Sequence, residues 1–441
     1  MNLNRRHFLL GSAASVALVG SASTKIAPRK LAAGEKANVA MIGLGIQGRT
    51  ALLPQFLGQY DRGAKVVVCC DCDKDRREDG AKRVDDYYSK RKIQSACKAV
   101  ADFRDVLKDP TIDMVCIATP DHWHAYIAVE AMKAGKDVYC EKPLTFSIDE
   151  ARKVIAAQEK YGRVFQTGSM QRSWPVFRTA CMIVRNGLIG DIKYVDANYG
   201  RGGSKLGGPS HPIRFFDDPK NAATEGAPNP NVDWDMWLGP AKWRAYSDQL
   251  APRGVNKFYP MFWRFDDDFG TGYNGDWGAH HLDIAQWGMD MDKSGPYKII
   301  RSDEPYSTDL YHGGRRQFGM KMLFKSPTGD IELYHGPFGT WGTVFYGTKG
   351  VVAVNRGKIA VWEGTLVKPT AEIRRALADM KPVAGLTLVA ASVGKDYGRQ
   401  TTTSQPLREN SRLSERPILR QEQPSGKSIF TGSQPKPVSY T

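Results

Sequence analysis

Ala40-Met41-Ile42-Gly43-Leu44-Gly45-Ile46-Gln47-Gly48-Arg49 runs a short apolar strand into a glycine turn that opens a helix. Gly43, Gly45 and Gly48 stand at G-x-G-x-x-G spacing, and each serves a different need. The first permits the tight turn, the second lets a pyrophosphate approach the backbone, and the third lets the helix pack on the strand. Ile46 and Gln47, between the second and third glycines, join them as candidate cofactor contacts. Free N–H groups and the helix dipole at this point favour a diphosphate. In a chain with 44 glycines the triplet alone is weak. A second apolar strand over 66–71 strengthens it, because its terminal Asp71 lies 23 residues past Gly48. That is near the separation at which a carboxylate meets the ribose hydroxyls of NAD. Arg76 and Arg77 follow, but Asp71 would repel a 2′-phosphate, so NAD is expected over NADP. The plainer alternative is a Gly-rich turn beside a solvated Asp.

Outward from this turn, strands alternate with helices. Asp75 with Glu78 reads as a helix start. An apolar strand over 113–119 ends at Thr119-Pro120, and Asp121-His122-Trp123-His124 leads into a helix over 125–133. The strand from Asp137 ends in Glu141-Lys142-Pro143, Ser147 and Glu150 resemble a capping box, and another strand covers 163–168. Such alternation predicts an α/β fold, a doubly wound parallel sheet of the Rossmann type over 36–165, with ligands at the carboxyl ends of its strands. Gly43–Gly48, Asp71, Thr119, Pro120, His124 and Glu141 all fall at those ends. From residue 191 the texture changes. Strand-like stretches over 192–199, 319–325, 331–334, 343–346 and 351–355 predict a second domain, 166–380. Within it an aromatic, loop-rich segment over 200–269 holds Trp234, Trp237, Trp243 and Trp263. It either faces a carbohydrate or packs a core of its own.

Asp276-Trp277-Gly278-Ala279-His280-His281-Leu282-Asp283 concentrates acid–base groups. On one helix Asp276 and His280 share a face, whereas His281 is rotated away by about 140°. A carboxylate one turn before an imidazole can fix its tautomer and stabilise its charged form. The competing reading makes Asp276 a helix cap and His280 a core residue. A metal site from His122, His124, His280 and His281 is a further alternative; without an H-E-x-x-H pattern no metal is expected.

The net charge of +15 is concentrated at the termini: +5 over residues 1–36 and +4 over 398–441. No basic block lies between them, so a nucleic-acid partner is not expected. Arg5-Arg6 before a short, weakly apolar run reads as a Tat-type export signal with its linker over 1–33, implying a periplasmic or otherwise exported protein. That run is too short to favour a membrane span. Seven cysteines, an odd number confined to 69–181, make no disulfide framework; Cys69, Cys116 and Cys140 read as small buried hydrophobes. Residues 371–380 and 382–393 read as helix or strand, and 398–441, rich in Ser, Thr, Gln, Pro and Arg, reads as disordered.

Taken together, the glycine turn, Asp71, Thr119-Pro120 with His124, Glu141-Lys142-Pro143 and the Asp276–Asp283 helix resemble the glucose–fructose oxidoreductase / inositol dehydrogenase (Gfo/Idh/MocA) family. The resemblance covers about residues 36–360. It implies a C-terminal α/β domain with a large open-faced, mainly antiparallel sheet, often used to form homo-oligomers. It also implies Lys142 beside the nicotinamide, His280 as acid–base group with Asp276 as its partner, and a cis Lys142–Pro143 bond. Arg172, Trp263 and His281 are further substrate-binding candidates. The expected activity is NAD-dependent hydride transfer at a hydroxyl of a sugar, cyclitol or related small molecule. Two rivals stand beside it: an NAD-dependent glycoside hydrolase working by oxidation and elimination, and a sugar-binding or assembly protein that keeps only the fold.

Overall fold

Neighbouring residues of the first strand feed different cores. In β1 (Ala37–Ile42), Val39 and Met41 pack with Leu52, Leu53, Val84 and Tyr88. Ala40 and Ile42 pack on the other side with Val106, Ala125, Ala128 and Val154. A strand covered on both faces must be apolar throughout, which is why this one reads as an unbroken run. The chain is described by a computed structural model over residues 29–198, 226–255, 262–266, 268–301, 320–336 and 341–390. The expected export signal up to residue 28, the tail over 398–441 and the first part of the aromatic segment lie outside the described residues.

Strands β2 (Ala64–Cys70), β3 (Lys98–Val100), β4 (Met114–Ile117), β5 (Asp137–Glu141) and β6 (Phe165–Gly168) join β1 in a parallel sheet ordered β3-β2-β1-β4-β5-β6. The order reverses between β1 and β4, and the crevice above such a switch point is where ligands bind. Three-residue β3, largely exposed, has too little periodicity to be read in advance. The helix Lys74–Lys90 is capped by Asp73, whose carboxylate accepts from the N–H groups of Asp75 and Arg76, two residues earlier than the expected start. Helix Asp121–Lys133 likewise begins at Asp121 rather than at Ala125. All seven cysteines are free, and Cys69, Cys70, Cys116, Cys140 and Cys181 are buried.

The second sheet contains β7 (Ile192–Asn198), β8 (Lys298–Arg301), β9 (Met320–Ser326), β10 (Gly329–Gly336), β11 (Thr343–Gly347), β12 (Gly350–Asn355), β13 (Lys358–Gly364) and β14 (Leu386–Ala390). Its order is β14-β13-β12-β11-β7-β10-β9-β8, antiparallel except where β7 meets β10. Helices Pro175–Arg185 and Gly278–Gly288 seal one face through Phe177, Ala180, Ile284 and Ala285 against Phe345 and Val352. The opposite face, expected to be open, is covered at one end by helix Ala371–Ala378. Trp341, Tyr346 and Trp362 lie there and would otherwise expose a large apolar patch. The Asp196 carboxylate, buried beneath, receives both arms of Arg374 at 2.9 Å and the Tyr346 hydroxyl at 2.9 Å.

In the aromatic segment, Trp234 and Trp237 stack at 4.8 Å and 15° within a cluster that includes Tyr246, Leu250 and Phe269. Core packing explains these two tryptophans. The segment is tied to the parallel sheet's ligand edge: Asn231 O accepts from Lys74 N–H at 2.7 Å, and Asp233 N–H donates to Cys72 O at 3.1 Å.

Candidate active site

One cavity of about 370 Å³ collects the ends of the parallel strands, the aromatic segment and the residues around Asp276. The three glycines at its edge differ in what they tolerate. Gly43 has φ +88°, and a Cβ there would lie 2.6 Å from the backbone of Ala118 and Thr119. A Cβ on Gly48 would lie 2.0 Å from the Gly43 carbonyl oxygen, whereas one on Gly45 would meet nothing within 4 Å. So Gly43 and Gly48 close the turn, and Gly45 leaves space that a phosphate can use. Asp71 accepts from the N–H of Leu44 at 2.6 Å and of Asp73 at 2.9 Å, which holds its carboxylate at the cavity wall beside the turn. These residues fit a dinucleotide.

Further along the wall come Ile46, Gln47, Thr119, Pro120, His124 and Glu141. The His124 ring bridges two loops, with Nδ1 2.7 Å from the Pro143 carbonyl and Nε2 2.9 Å from that of Thr119. Burial pushes its pKa down while the two carbonyls pull it up. Its first effect is therefore to fix the Thr119 and Pro143 loops together. Glu141, whose pKa burial raises, accepts from the Gln47 amide at 3.2 Å and from Lys142 N–H at 3.2 Å.

The Lys142 ammonium donates to the Asp276 carboxylate, and to the Asp276 carbonyl at 3.0 Å. Arg264 donates to the same carboxylate at 3.2 Å while lying over the Trp263 ring. Burial alone would raise Asp276, but Lys142 and Arg264 hold it well below the usual carboxylate range. This corrects the expected Asp276–His280 pair. Helix Gly272–Asp276 ends at Asp276, Trp277 intervenes, and Gly278–Gly288 begins a new helix. A carboxylate offered an ammonium and a guanidinium gains more from them than from a neutral imidazole. His280 shares the cavity with Lys142, and burial, assisted by Lys142 and Arg356, pushes it down to about 2. Burial therefore favours the neutral imidazole in the resting site.

Two predicted substrate contacts lie elsewhere. Arg172 forks onto Asp283, with both contacts at 2.8 Å, and reaches Asp292 at 2.7 Å. Two local carboxylates satisfy it away from the cavity wall. His281 is fully buried, stacked on Trp277 at 17° and packed so closely on Gly342 that a Cβ there would come within 2.3 Å of its ring. The i+1 rotation that separates it from His280 turns it into the core. Trp263 does line the cavity. Among the described residues no three His, Cys, Asp or Glu side chains are grouped to hold a metal ion.

Asp121 and Arg356 escaped the sequence reading. Asp121, the first residue of its helix, is buried at the cavity and accepts from the Thr271 hydroxyl at 3.3 Å. Burial raises it to about 7 despite Arg264 and Lys142. Its place directly after Thr119-Pro120, at a strand's carboxyl end, was the available signal. Arg356 arrives from the β12–β13 turn, where no motif marks it.

Buried histidines make stability depend on acid. His280, His281 and His335 are held at about 2, about 3 and about 4, chiefly by burial. The unfolded chain binds their protons below pH ~6.5 and the folded chain does not, so this stability is full above that pH and lost as pH falls. Each group contributes at most about 1.4 kcal/mol per pH unit. Asp121, raised in the fold, acts oppositely: its contribution is present below its unfolded pKa and lost as pH rises through about 7. Urea unfolding should show lower stability at pH 5 than at pH 7.5, with a steeper loss in Asp121→Asn. Equal stability at both pH values would rule out neutral burial of these rings.

A family model described as "Oxidoreductase family, NAD-binding Rossmann fold" (GFO_IDH_MocA) matches residues 37–169. Its companion, "Oxidoreductase family, C-terminal alpha/beta domain", matches 214–318. The chain is 31% identical over 158 residues to an inositol 2-dehydrogenase of Rubrobacter xylanophilus, covering 36% of this chain and 42% of that one. It is 27% identical over 219 residues to a glycosyl hydrolase family 109 protein of Shewanella pealeana, covering 45% and 46%. It therefore spans less than half the length of these curated relatives. The fold is like that of the WlbA dehydrogenase of Bordetella pertussis, solved with NADH and UDP-GlcNAcA. That likeness has a TM-score of 0.50 at 15% identity and covers 78% of this chain and 81% of that one.

Proposed function

This chain belongs to the Gfo/Idh/MocA family of NAD-binding oxidoreductases, and from that premise we propose that it oxidises a hydroxyl of a sugar, cyclitol or sugar derivative. The observation that carries the reading is the shared cavity of the glycine turn, Asp71, the Lys142–Asp276 pair and neutral His280. Gly45, Ile46 and Asp71 would hold NAD, whose nicotinamide supplies a hydride acceptor when bound. His280, uncharged before substrate binds, takes the hydroxyl proton, and the Asp276 carboxylate favours the charged ring that results. Lys142, aligned by Asp276, donates a hydrogen bond to the reacting oxygen and lowers the cost of its developing negative charge. The inositol dehydrogenase relative supports a polyol substrate, and a homo-oligomer is part of the same reading.

Purified protein should release NAD on denaturation, identified by mass spectrometry, and should produce nicotinamide absorbance with members of a sugar and cyclitol panel. The family 109 relative favours one alternative, oxidation followed by elimination; nitrophenol released from glycosides without net NADH would replace simple dehydrogenation. A protein with no affinity for NAD would end both readings. We also propose that the twin-arginine segment directs export. Unchanged export of an Arg5→Lys/Arg6→Lys protein would refute it.

A further inference from the structure

Arg356 sits on the two-residue turn between β12 and β13, and its backbone N–H is held by the Asn355 side chain at 2.8 Å. From there the guanidinium enters the cavity wall, 4.6 Å from the Trp277 ring centroid and 5.6 Å from that of Trp174. One edge is used: Nε donates to the Gln171 carboxamide oxygen at 3.0 Å. Gln171 is itself buried, and its amide nitrogen donates to the His280 carbonyl at 3.3 Å. The group is therefore flanked by two indoles and held by a buried amide.

What it lacks, among the described residues, is an acid. The other cations on this wall have acidic partners: Lys142 and Arg264 share Asp276, and Arg76 meets Asp73 at 3.2 Å. Among the described residues no carboxylate forms an ion pair with Arg356. Burial pushes its pKa down, with only Asp276 acting against that. A half-buried guanidinium without a counter-ion is costly, and its planar fork matches a carboxylate. The cavity wall also carries the carboxylates Asp71, Asp121, Glu141 and Asp276, of which Asp276 is the one that acts on Arg356.

We propose that Arg356 is a specificity-determining residue that binds a carboxylate on the substrate, so that the site takes a sugar acid, a uronate or aldonate, in preference to the neutral sugar. This rests on the reading of the cavity as a polyol oxidation site and narrows its substrate class. A bidentate, charge-assisted contact in a pocket of this kind amounts to a discrimination of about 10- to 150-fold.

The test uses NADH-loaded full-length protein. Binding of glucuronate, galacturonate and gluconate is measured by calorimetry beside glucose, galactose, myo-inositol and glucose 6-phosphate; turnover is measured separately with NAD. Expected are at least tenfold tighter binding of one or more sugar acids than of their neutral counterparts, loss of that preference in Arg356→Gln, and partial retention in Arg356→Lys. Tighter binding of the sugar phosphate than of every acid would overturn the carboxylate assignment. Equal preference in wild type and Arg356→Gln would overturn the role of Arg356. So would a fall in NADH affinity matching the loss of acid binding, because the arginine would then serve the cofactor. Arg356-dependent acid binding without nicotinamide reduction would sink the oxidation and leave this inference standing. Oxidation of neutral sugars with no acid preference would do the reverse.

Discussion

Lys142→Met is expected to lower kcat by about 10²–10³-fold while NADH affinity stays within a factor of a few. Lys142 follows Glu141 at the end of β5, and its ammonium is already bound to the Asp276 carboxylate and carbonyl. A charge held this firmly pays its ordering entropy before substrate arrives, which is what a group stabilising a developing oxyanion requires. Methionine keeps the length and removes the donor. It leaves Asp276 with Arg264 as a remaining partner, so the buried carboxylate is not stranded. The glycine turn and Asp71 are untouched, hence the separation of turnover from cofactor binding. His280→Ala should fall in the same direction, since the lost neutral imidazole is the proposed proton acceptor. Retention of more than a third of wild-type kcat in Lys142→Met would remove the lysine from the chemistry.

Alanine at two of the three glycines should weaken NADH binding in both cases but lower stability at only one. At Gly48 the new Cβ would be 2.0 Å from a backbone oxygen and 3.1 Å from the carbonyl carbon of Gly43. Backbone cannot swing aside as a side chain can, so the strand–turn–helix junction must distort. A loss of about 1–3 kcal/mol or more is expected, together with loss of NADH binding. At Gly45 the Cβ meets nothing, so the melting temperature without cofactor should be unchanged or slightly raised. The space it fills is that proposed for the pyrophosphate, so NADH affinity should drop at least ~100-fold, on the order of 2.7 kcal/mol. Differential scanning fluorimetry and NADH fluorescence titration separate the two. Wild-type NADH affinity in Gly45→Ala would move the diphosphate away from this turn.

Much of the parallel sheet was legible because its signals are local. A strand buried on both faces is an apolar run, and a glycine turn is a conformational demand on three positions. A strand's carboxyl end also follows directly from where the run stops. The second sheet was legible in part. Strands near 192–199, 331–334 and 351–355 have their own turn residues. Short β3 and edge strand β8 carry little alternation of their own. The covering of the supposedly open face by helix Ala371–Ala378 depends on Trp341, Trp362 and the Asp196–Arg374 pair, residues far apart in the chain.

The sequence by itself determined the dinucleotide turn, the winding of the parallel sheet and which strand ends could meet a ligand, because each depends on chain geometry over a few residues. Tertiary structure alone decided the partners inside the site. Spacing offered Asp276 to His280, but the fold brings Lys142 and Arg264 to that carboxylate, and full charges in a buried site outrank a neutral ring four residues away. It likewise sent Arg172 to Asp283 and His281 into the core, and carried Arg356 from a distant hairpin to the cavity wall. The Lys142–Asp276, Arg172–Asp283 and Arg356–Gln171 contacts join residues more than a hundred positions apart, and no local pattern specifies them.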